Sequence, residues 1–409
     1  MSLPAPKLGD FDYHLPPDLI AQHPARRRSD SRMLVVDRTN GSFQDSTFRQ
    51  LPDHLKSGDL LALNNSRVLP ARLLGYRVGL SSQVIGKNNP AGREYLTSPI
   101  EVLLTHRLDE RTWEALVKPG RKVRIGEKLI FDNAAGGRRD LSGKKSKSGK
   151  KLERIAIGMA KGIRPASDGG LVSREKGPVL EADIIGRAEY GIRILRFAAG
   201  VAIPEMLEKV GHIPLPPYIR RPDEVEDRLR YQTVYARHPG SVAAPTAGLH
   251  FTDAMLSRLQ KCGVERAEIT LHVGLGTFQP IHSDAIERHR MHPESYEVTP
   301  QAAARLNQAL AEKRRIVAVG TTTVRTLEHL AAEHGGAIEP GSGETCLFIL
   351  PGFEFRVVGG LLTNFHLPRT TLLMLIAAFA GRELIMDAYE HAVRERYRFY
   401  SYGDCMLIV

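Results

Sequence analysis

The chain has 409 residues, 42% hydrophobic and 25% charged, which is enough apolar content to bury a large core and excludes both wholesale disorder and a single small binding module. Its 57 Lys and Arg against 46 Asp and Glu leave a formal charge of +11, which points to a polyanionic partner such as nucleic acid or a membrane surface. Three widely spaced cysteines, Cys262, Cys346 and Cys405, exclude a disulfide framework and a structural zinc site.

The first twenty residues are broken by Pro4, Pro6, Gly9, Pro16 and Pro17 and lack the apolar core of a signal peptide, so a cytoplasmic location is expected. The run Arg32 to Asp37 contributes a strand. From Asp59 to Leu74 begins a region of short β-type runs, continued at Ile100 to Leu104, Trp113 to Val117, Lys128 to Phe131 and Gly191 to Phe197. Turn chemistry at Lys118-Pro119-Gly120 and Ile125-Gly126-Glu127 separates them, which predicts a small barrel or sandwich. Residues 81–97 read as a loop. Between Gly136 and Lys151, seven Lys or Arg stand against Asp140 with Gly and Ser between, and this basic stretch at 136–151 reads as a disordered or mobile insertion. The polar run Gly162 to Gly177 continues it.

After Pro214-Leu215-Pro216-Pro217 strands and helices alternate, which implies a mostly parallel sheet with helical crossovers. Thr252 caps a helix through Lys261, with Met255, Leu256 and Leu259 buried and Gly263 as its stop. In Ala267 to Val273 strict alternation puts Glu268, Thr270 and His272 on one face. Thr299-Pro300 opens a helix to about Lys313. Ile316 to Val319 is a buried strand, Gly320 to Thr323 a tight turn, and Val324 to Glu333 a helix. The run Leu372 to Ala380 is too short to span a bilayer and reads as a buried helix. The expected fold is α/β: a mostly parallel-sheet main domain of residues 1–65 and 199–409, with a small β-barrel domain, 66–198, inserted into it. Mobile insertions are expected near 81–97 and 133–182.

Several segments can carry chemistry. Pro245 to Thr252 places Thr246, Gly248 and His250 just before a helix, where backbone N–H groups can meet a polar ligand and an imidazole can act beside them. A tight turn in which His250 only packs fits the same residues. Glu268 and His272 share a strand face, and Gly274 and Gly276 beyond them permit close backbone approach, although a solvated edge strand also explains the alternation. Gly320 to Arg325 follows a buried strand and opens a helix, the place where α/β sheets bind ligands, and its threonines suit a ribose, a carboxylate or a phosphate. No G-x-x-x-x-G-K-[ST] occurs, which disfavours ATP hydrolysis. His282, Asp284, His289 and His292 fit no standard ligand spacing, so no metal is expected. Asn364 to Arg369 and Tyr400 to Asp404 are polar loops beside very apolar elements.

Taken together, the blocks FDYHLPPDLIAQHPA, RSDSRMLVVDR, LLALNNSRVLPARLLG, PLPPYI, RYQTVYA, VAAPTAGLHFT, EITLHVGLGTFQPI, HPESYEV, VAVGTTTVRTLE, LLTNFHLPRTTLLMLIAAFAG and RFYSYGDCMLI resemble, in order from Phe11 to Ile408, the S-adenosylmethionine:tRNA ribosyltransferase-isomerases of queuosine biosynthesis. The resemblance implies an α/β domain carrying an inserted barrel. It implies transfer of the ribosyl part of S-adenosylmethionine to the aminomethyl group of 7-aminomethyl-7-deazaguanine at the tRNA wobble position. The ribose rearranges to an epoxycyclopentane, and adenine and methionine leave. S-adenosylmethionine is then a co-substrate, no cofactor is needed, and a monomer is expected. Within the matching blocks His250 and His272 are the expected acid/base pair. Thr246, Gly248, Glu268, Gly274, Gly276, Thr321, Thr322, Arg325, Asn364, His366, Arg369, Tyr402 and Asp404 are the expected substrate-binding residues, and Arg67 the tRNA contact. A non-catalytic tRNA-binding protein and a base-exchanging transglycosylase are the rival readings.

Overall fold

The computed structural model describes residues 7–79, 96–120, 123–132, 179–274, 286, 289 and 291–409. The basic stretch 136–151 and almost all of the expected insertions lie outside these residues, as does Gly276. The chain forms two compact units, one of Met1–Ala71 with Ile213–Val409 and one of Arg72–His212.

In chain order the strands are β1 (Arg32–Asp37), β2 (Ser42–Thr47), β3 (Leu60–Asn64), β4 (Ser66–Val68), β5 (Arg72–Gly79), β6 (Leu96–Arg107), β7 (Thr112–Lys118), β8 (Lys128–Asp132), β9 (Val179–Arg187), β10 (Arg193–Phe197), β11 (His238–Ser241), β12 (Glu265–Leu271), β13 (Glu294–Val298), β14 (Ile316–Val319), β15 (Gly341–Thr345), β16 (Val358–Asn364) and β17 (Cys405–Ile408). Nine of them make the main sheet in the order β15-β13-β12-β3-β14-β16-β17-β1-β2. Its centre is parallel, with β12–β3, β3–β14 and β14–β16 running the same way, and β17–β1 is parallel too; the other neighbours are antiparallel. The sheet is therefore mixed around a parallel core.

Strands covered on both faces need no apolar–polar alternation, and β3 and β14 are buried throughout. Their side chains divide by the pleat. Leu60, Ala62, Ile316 and Ala318 enter one core, with the helices Thr321–Glu333, Thr371–Ala380 and Arg382–Arg394. Leu61, Leu63, Val317 and Val319 enter the other, with Met255, Leu256 and Leu259 of the helix Asp253–Lys261. The capping residues act as expected: Thr252 accepts from Met255 N at 3.1 Å and Thr299 from Ala302 N at 3.2 Å. Two local expectations change. The three threonines are not a turn before a helix but its first turn, because Gly320, at φ +93°, supplies the reversal and the helix begins at Thr321. Residues 66–71, expected in the barrel, belong to the main unit, where β4 pairs in parallel with β11, and residues 199–212, expected in the main domain, belong to the second unit.

The second unit is a closed six-stranded barrel in the order β10-β7-β6-β5-β8-β9, antiparallel at every pairing. Leu73, Val102, Leu104, Ala115, Leu129, Phe131 and Leu195 fill it. Gly75 is required by close approach, since a β-carbon there would lie 2.2 Å from the Ile130 carbonyl oxygen. Among the described residues of this unit one ion pair is buried: Arg77 Nε donates to Glu127 Oε2 at 2.8 Å and Nη2 to Oε1. Removing one partner of a buried pair strands the other charge, so Glu127→Ala is expected to cost the barrel about 3–5 kcal/mol, while Arg77→Met with Glu127→Leu recovers most of it. Trp113, the chain's single tryptophan, is 5% exposed in β7, so its fluorescence in a urea titration reads this unit. Equal stability of Glu127→Ala and the native chain would refute the assignment.

Candidate active site

The carboxyl ends of β14 and β16 open on a cleft of about 500 Å³. Pro245, Thr246 and Ala247 border it on one side, and Gly320, Thr321 and Thr322 on another. Thr323 and Thr326 turn their hydroxyls back to the carbonyls of Val319 and Thr322, whereas Thr321 and Thr322 line the cleft, beside the free N–H groups of the helix start. Asn364, Phe365 and His366, following directly on Thr363, border the cleft as well, and Tyr218, Tyr400 and Leu372 add apolar surface. Tyr218 and Tyr400 lie with ring centroids 3.9 Å apart, and the Tyr218 hydroxyl is bonded to Ser401 Oγ.

Asn364 organises this region. Its Nδ2 donates to the carbonyls of Tyr400 at 3.3 Å and Asp404 at 3.5 Å, and it also faces His250 Nε2 at 3.2 Å. Carbonyls only accept, so the amide orientation is fixed and His250 Nε2 must accept. The remaining proton sits on Nδ1, which donates to Ser31 Oγ at 2.9 Å. His250 is thus neutral with both ring nitrogens engaged. Burial first, then Arg398 and Arg28, push its pKa down to about 3. His366 is also held down to about 3 by burial, and its Nε2 meets Thr363 Oγ1 at 2.8 Å.

On the far side of His250 and Ser401 lies a second cleft of about 250 Å³, bordered by Arg28, Arg230 and Tyr402. The Tyr402 hydroxyl donates to Asp227 Oδ1 at 2.6 Å.

The other expected residues fall elsewhere. Glu268, Thr270 and His272 do share a face, but it is covered rather than solvated. Thr270 donates to Asn65 Oδ1 at 2.8 Å, Glu268 meets Arg237 at 3.4 Å, and the His272 ring packs so closely on Gly240 that a β-carbon there would lie 2.7 Å from Cε1. None of the three borders either cleft. Gly248 answers to packing, since a β-carbon would lie 2.1 Å from the Tyr235 hydroxyl. Arg325 is 2% exposed and paired with Glu294, whose Oε1 also accepts from Gly274 N at 3.3 Å. Asp404 points inward, accepting from Arg32 N at 3.0 Å and from Arg398 N at 2.8 Å. Arg369 is exposed and paired with Asp12, and Arg67 is exposed on β4. His282 and Asp284 lie outside the described residues, among which no group of three His, Cys, Asp or Glu is placed to hold a metal ion. Among the same residues no helix is long and apolar enough to cross a membrane. The cleft residues not singled out from sequence are Tyr218, Thr363, Phe365 and Tyr400 in the first and Arg28, Ser31 and Arg230 in the second; most stand inside blocks that the resemblance had already marked.

A family model described as queuosine biosynthesis protein matches residues 8–408. The chain belongs to that family. Among curated members, an S-adenosylmethionine:tRNA ribosyltransferase-isomerase of Solibacter usitatus is 48% identical over 98% of this chain and 99% of its own length. One of the same name from Carboxydothermus hydrogenoformans is 45% identical over 98% of this chain and all of its own. A crystal structure of S-adenosylmethionine tRNA ribosyltransferase from Thermotoga maritima is 36% identical, covers 98% of this chain and 100% of its own, and overlays with a TM-score of 0.48.

Histidines kept neutral by the queuosine-family fold have a measurable consequence. With native pKa values near 3 against an ordinary 6.5, the unfolded chain binds more protons between those limits, so the stability that His250 and His366 contribute is present above pH 6.5 and is lost as pH falls towards 3. NMR titration of the imidazoles is expected to show both still neutral at pH 5; a midpoint near 6.5 for either would contradict the geometry.

Proposed function

We propose that the chain is an S-adenosylmethionine:tRNA ribosyltransferase-isomerase. In this reading it moves the ribosyl part of S-adenosylmethionine onto 7-aminomethyl-7-deazaguanine at the wobble position, forms the epoxycyclopentane, and releases adenine and methionine. S-adenosylmethionine is consumed as a co-substrate, and no resident cofactor is invoked. The observation that carries the reading is the first cleft: a helix start and two threonines on one wall, aromatic rings on another, and a buried Asn–His pair beneath, in a chain whose relatives of that name match it over nearly its whole length.

The chemistry sets three demands. The attacking amine must be neutral, the ribose C–H next to the sulfonium must be deprotonated, and departing adenine needs a proton or hydrogen bond on its ring nitrogen. Imidazoles that are neutral at working pH can accept protons. We assign the proton transfer to His366, which borders the first cleft, and to His250, whose two ring nitrogens are engaged by Ser31 and Asn364, the holding of Asn364, which orients the base or the nucleoside. Thr246, Thr321 and Thr322 are assigned to S-adenosylmethionine. The expected contribution of His272 reaches the cleft only through its neighbour Val273, which lines it.

The direct test incubates the purified chain with S-adenosylmethionine and tRNA bearing 7-aminomethyl-7-deazaguanine, following adenine and methionine release and the mass of the modified nucleoside. Release of both with a nucleoside carrying the epoxycyclopentane is expected. Binding of tRNA without release would leave a non-catalytic RNA-binding protein, and release of guanine would indicate base exchange. Thr321→Val with Thr322→Val is expected to raise the apparent constant for S-adenosylmethionine about tenfold, as for lost hydrogen bonds to a charged or polar ligand, and to leave that for tRNA unchanged. His366→Ala should lower turnover about a hundredfold or more, the usual scale of one acid/base group, and His250→Ala about tenfold, through the lost hold on Asn364. Full turnover in His366→Ala, or loss in His272→Ala alone, would move the proton transfer to the β12 face.

A further inference from the structure

Apart from the His250 ring on its wall, the second cleft has no part in the reaction as written, yet it is built. Arg28 donates through Nη1 to the Leu249 carbonyl at 3.0 Å and through Nη2 to the Leu229 carbonyl at 2.7 Å. Arg230 donates through Nη2 to the Ala25 carbonyl at 2.6 Å and through Nη1 to the Arg26 carbonyl at 3.4 Å. Carbonyl bonds fix a guanidinium without neutralising it. Neither arginine forms an ion pair among the described residues, and Arg230 Nε is buried with no partner there. Burial, and then the adjacent Arg230, push Arg28 below its ordinary pKa, while Asp253 acts on it only weakly. Asp227, which accepts from the Tyr402 hydroxyl, is already paired with Arg221. Two fixed, uncompensated cations facing one cavity are a site for an oxyanion.

The rim indicates which oxyanion. Arg26 and Arg27 continue the positive charge onto the exposed surface, and Val225 and Leu229, 87% and 75% exposed, stand on the segment that carries Arg230. A small carboxylate has no use for such a rim; a nucleic-acid strand, with further phosphates and unstacked bases, does.

We propose that the second cleft holds a phosphodiester of the RNA substrate between Arg28 and Arg230, next to the cleft that takes the unstacked base. This rests on the reading of the chain as a tRNA-modifying protein. The two clefts share Ser401, and Asn364 on the first faces His250 on the second, so one nucleotide can meet the first with its base and the second with its backbone.

The test measures binding of the full-length tRNA to the full chain across a salt series, without turnover. Arg28→Gln with Arg230→Gln is expected to weaken binding about tenfold or more and to lower the slope of log Kd against log salt by about one to two, with the constant for S-adenosylmethionine unchanged. Arg28→Lys with Arg230→Lys keeps the charge and loses the fork, so it should keep most of the slope. Unchanged affinity and slope in the glutamine pair would overturn the proposal. So would a raised constant for S-adenosylmethionine with tRNA binding intact, which would assign the cleft to the methionyl carboxylate. Equal loss of slope in the lysine pair would also overturn it, assigning the defect to the lost carbonyl ties. A native chain that binds tRNA with the expected slope but releases no adenine rejects the proposed reaction and leaves this site standing.

Discussion

One amide side chain holds three distant parts of the chain together. Asn364 ends β16, and its Nδ2 reaches two carbonyls of the Tyr400–Asp404 segment and the ring of His250, in the short 3-10 helix Thr246–His250. Because those carbonyls can only accept, the amide cannot flip, and the tautomer of His250 follows from it. Ser31 completes the chain of bonds on the other side of the ring. A wall between two clefts is thus made of hydrogen bonds that would be costly to break in a buried setting. The same amide leaves its Oδ1 buried and without a partner among the described residues.

The two clefts on either side of this wall have opposite characters. The first lies at the carboxyl ends of parallel strands and combines aromatic surface with a helix start and hydroxyls, which suits a nucleoside or a base. The second is lined by fixed arginines beside the exposed Arg26 and Arg27, which suits a phosphate. The proposed reaction, which joins one nucleotide of an RNA loop to a nucleoside co-substrate, needs both kinds of surface, because base and backbone are recognised by different physics. The net charge of +11 is the long-range part of the same design.

Much of this was legible in sequence, and the boundary of legibility is physical. Period, caps and breakers are local, so the barrel, the helices begun by Thr252 and Thr299, and the position of Thr321 and Thr322 at the end of a buried strand could be read directly. What a side chain meets across the sheet is not local. Asp404 sits in a polar loop by its neighbours, but Arg398 and the backbone of Arg32 turn it inward. His272 alternates as a polar strand residue should, yet β12 is flanked by β13 and β3, and its polar face is capped by Asn65, Arg237 and Gly240. Gly248 looked like a ligand-approach glycine and is instead the gap into which Tyr235 fits. The second cleft left no motif because Arg28 and Arg230 are some two hundred residues apart, and only the fold makes them neighbours.

The central claim is that the cleft between Pro245–Ala247 and Thr321–Thr322 is where the adenosyl co-substrate reacts. A crystal structure of the chain with S-adenosylhomocysteine, which keeps the nucleoside and lacks the sulfonium, tests it most directly. The account predicts ribose or adenine density against Thr321 and Thr322, with a ligand donor on Asn364 Oδ1. Density on the polar face of β12, against Glu268 and His272, with the first cleft empty, would contradict it.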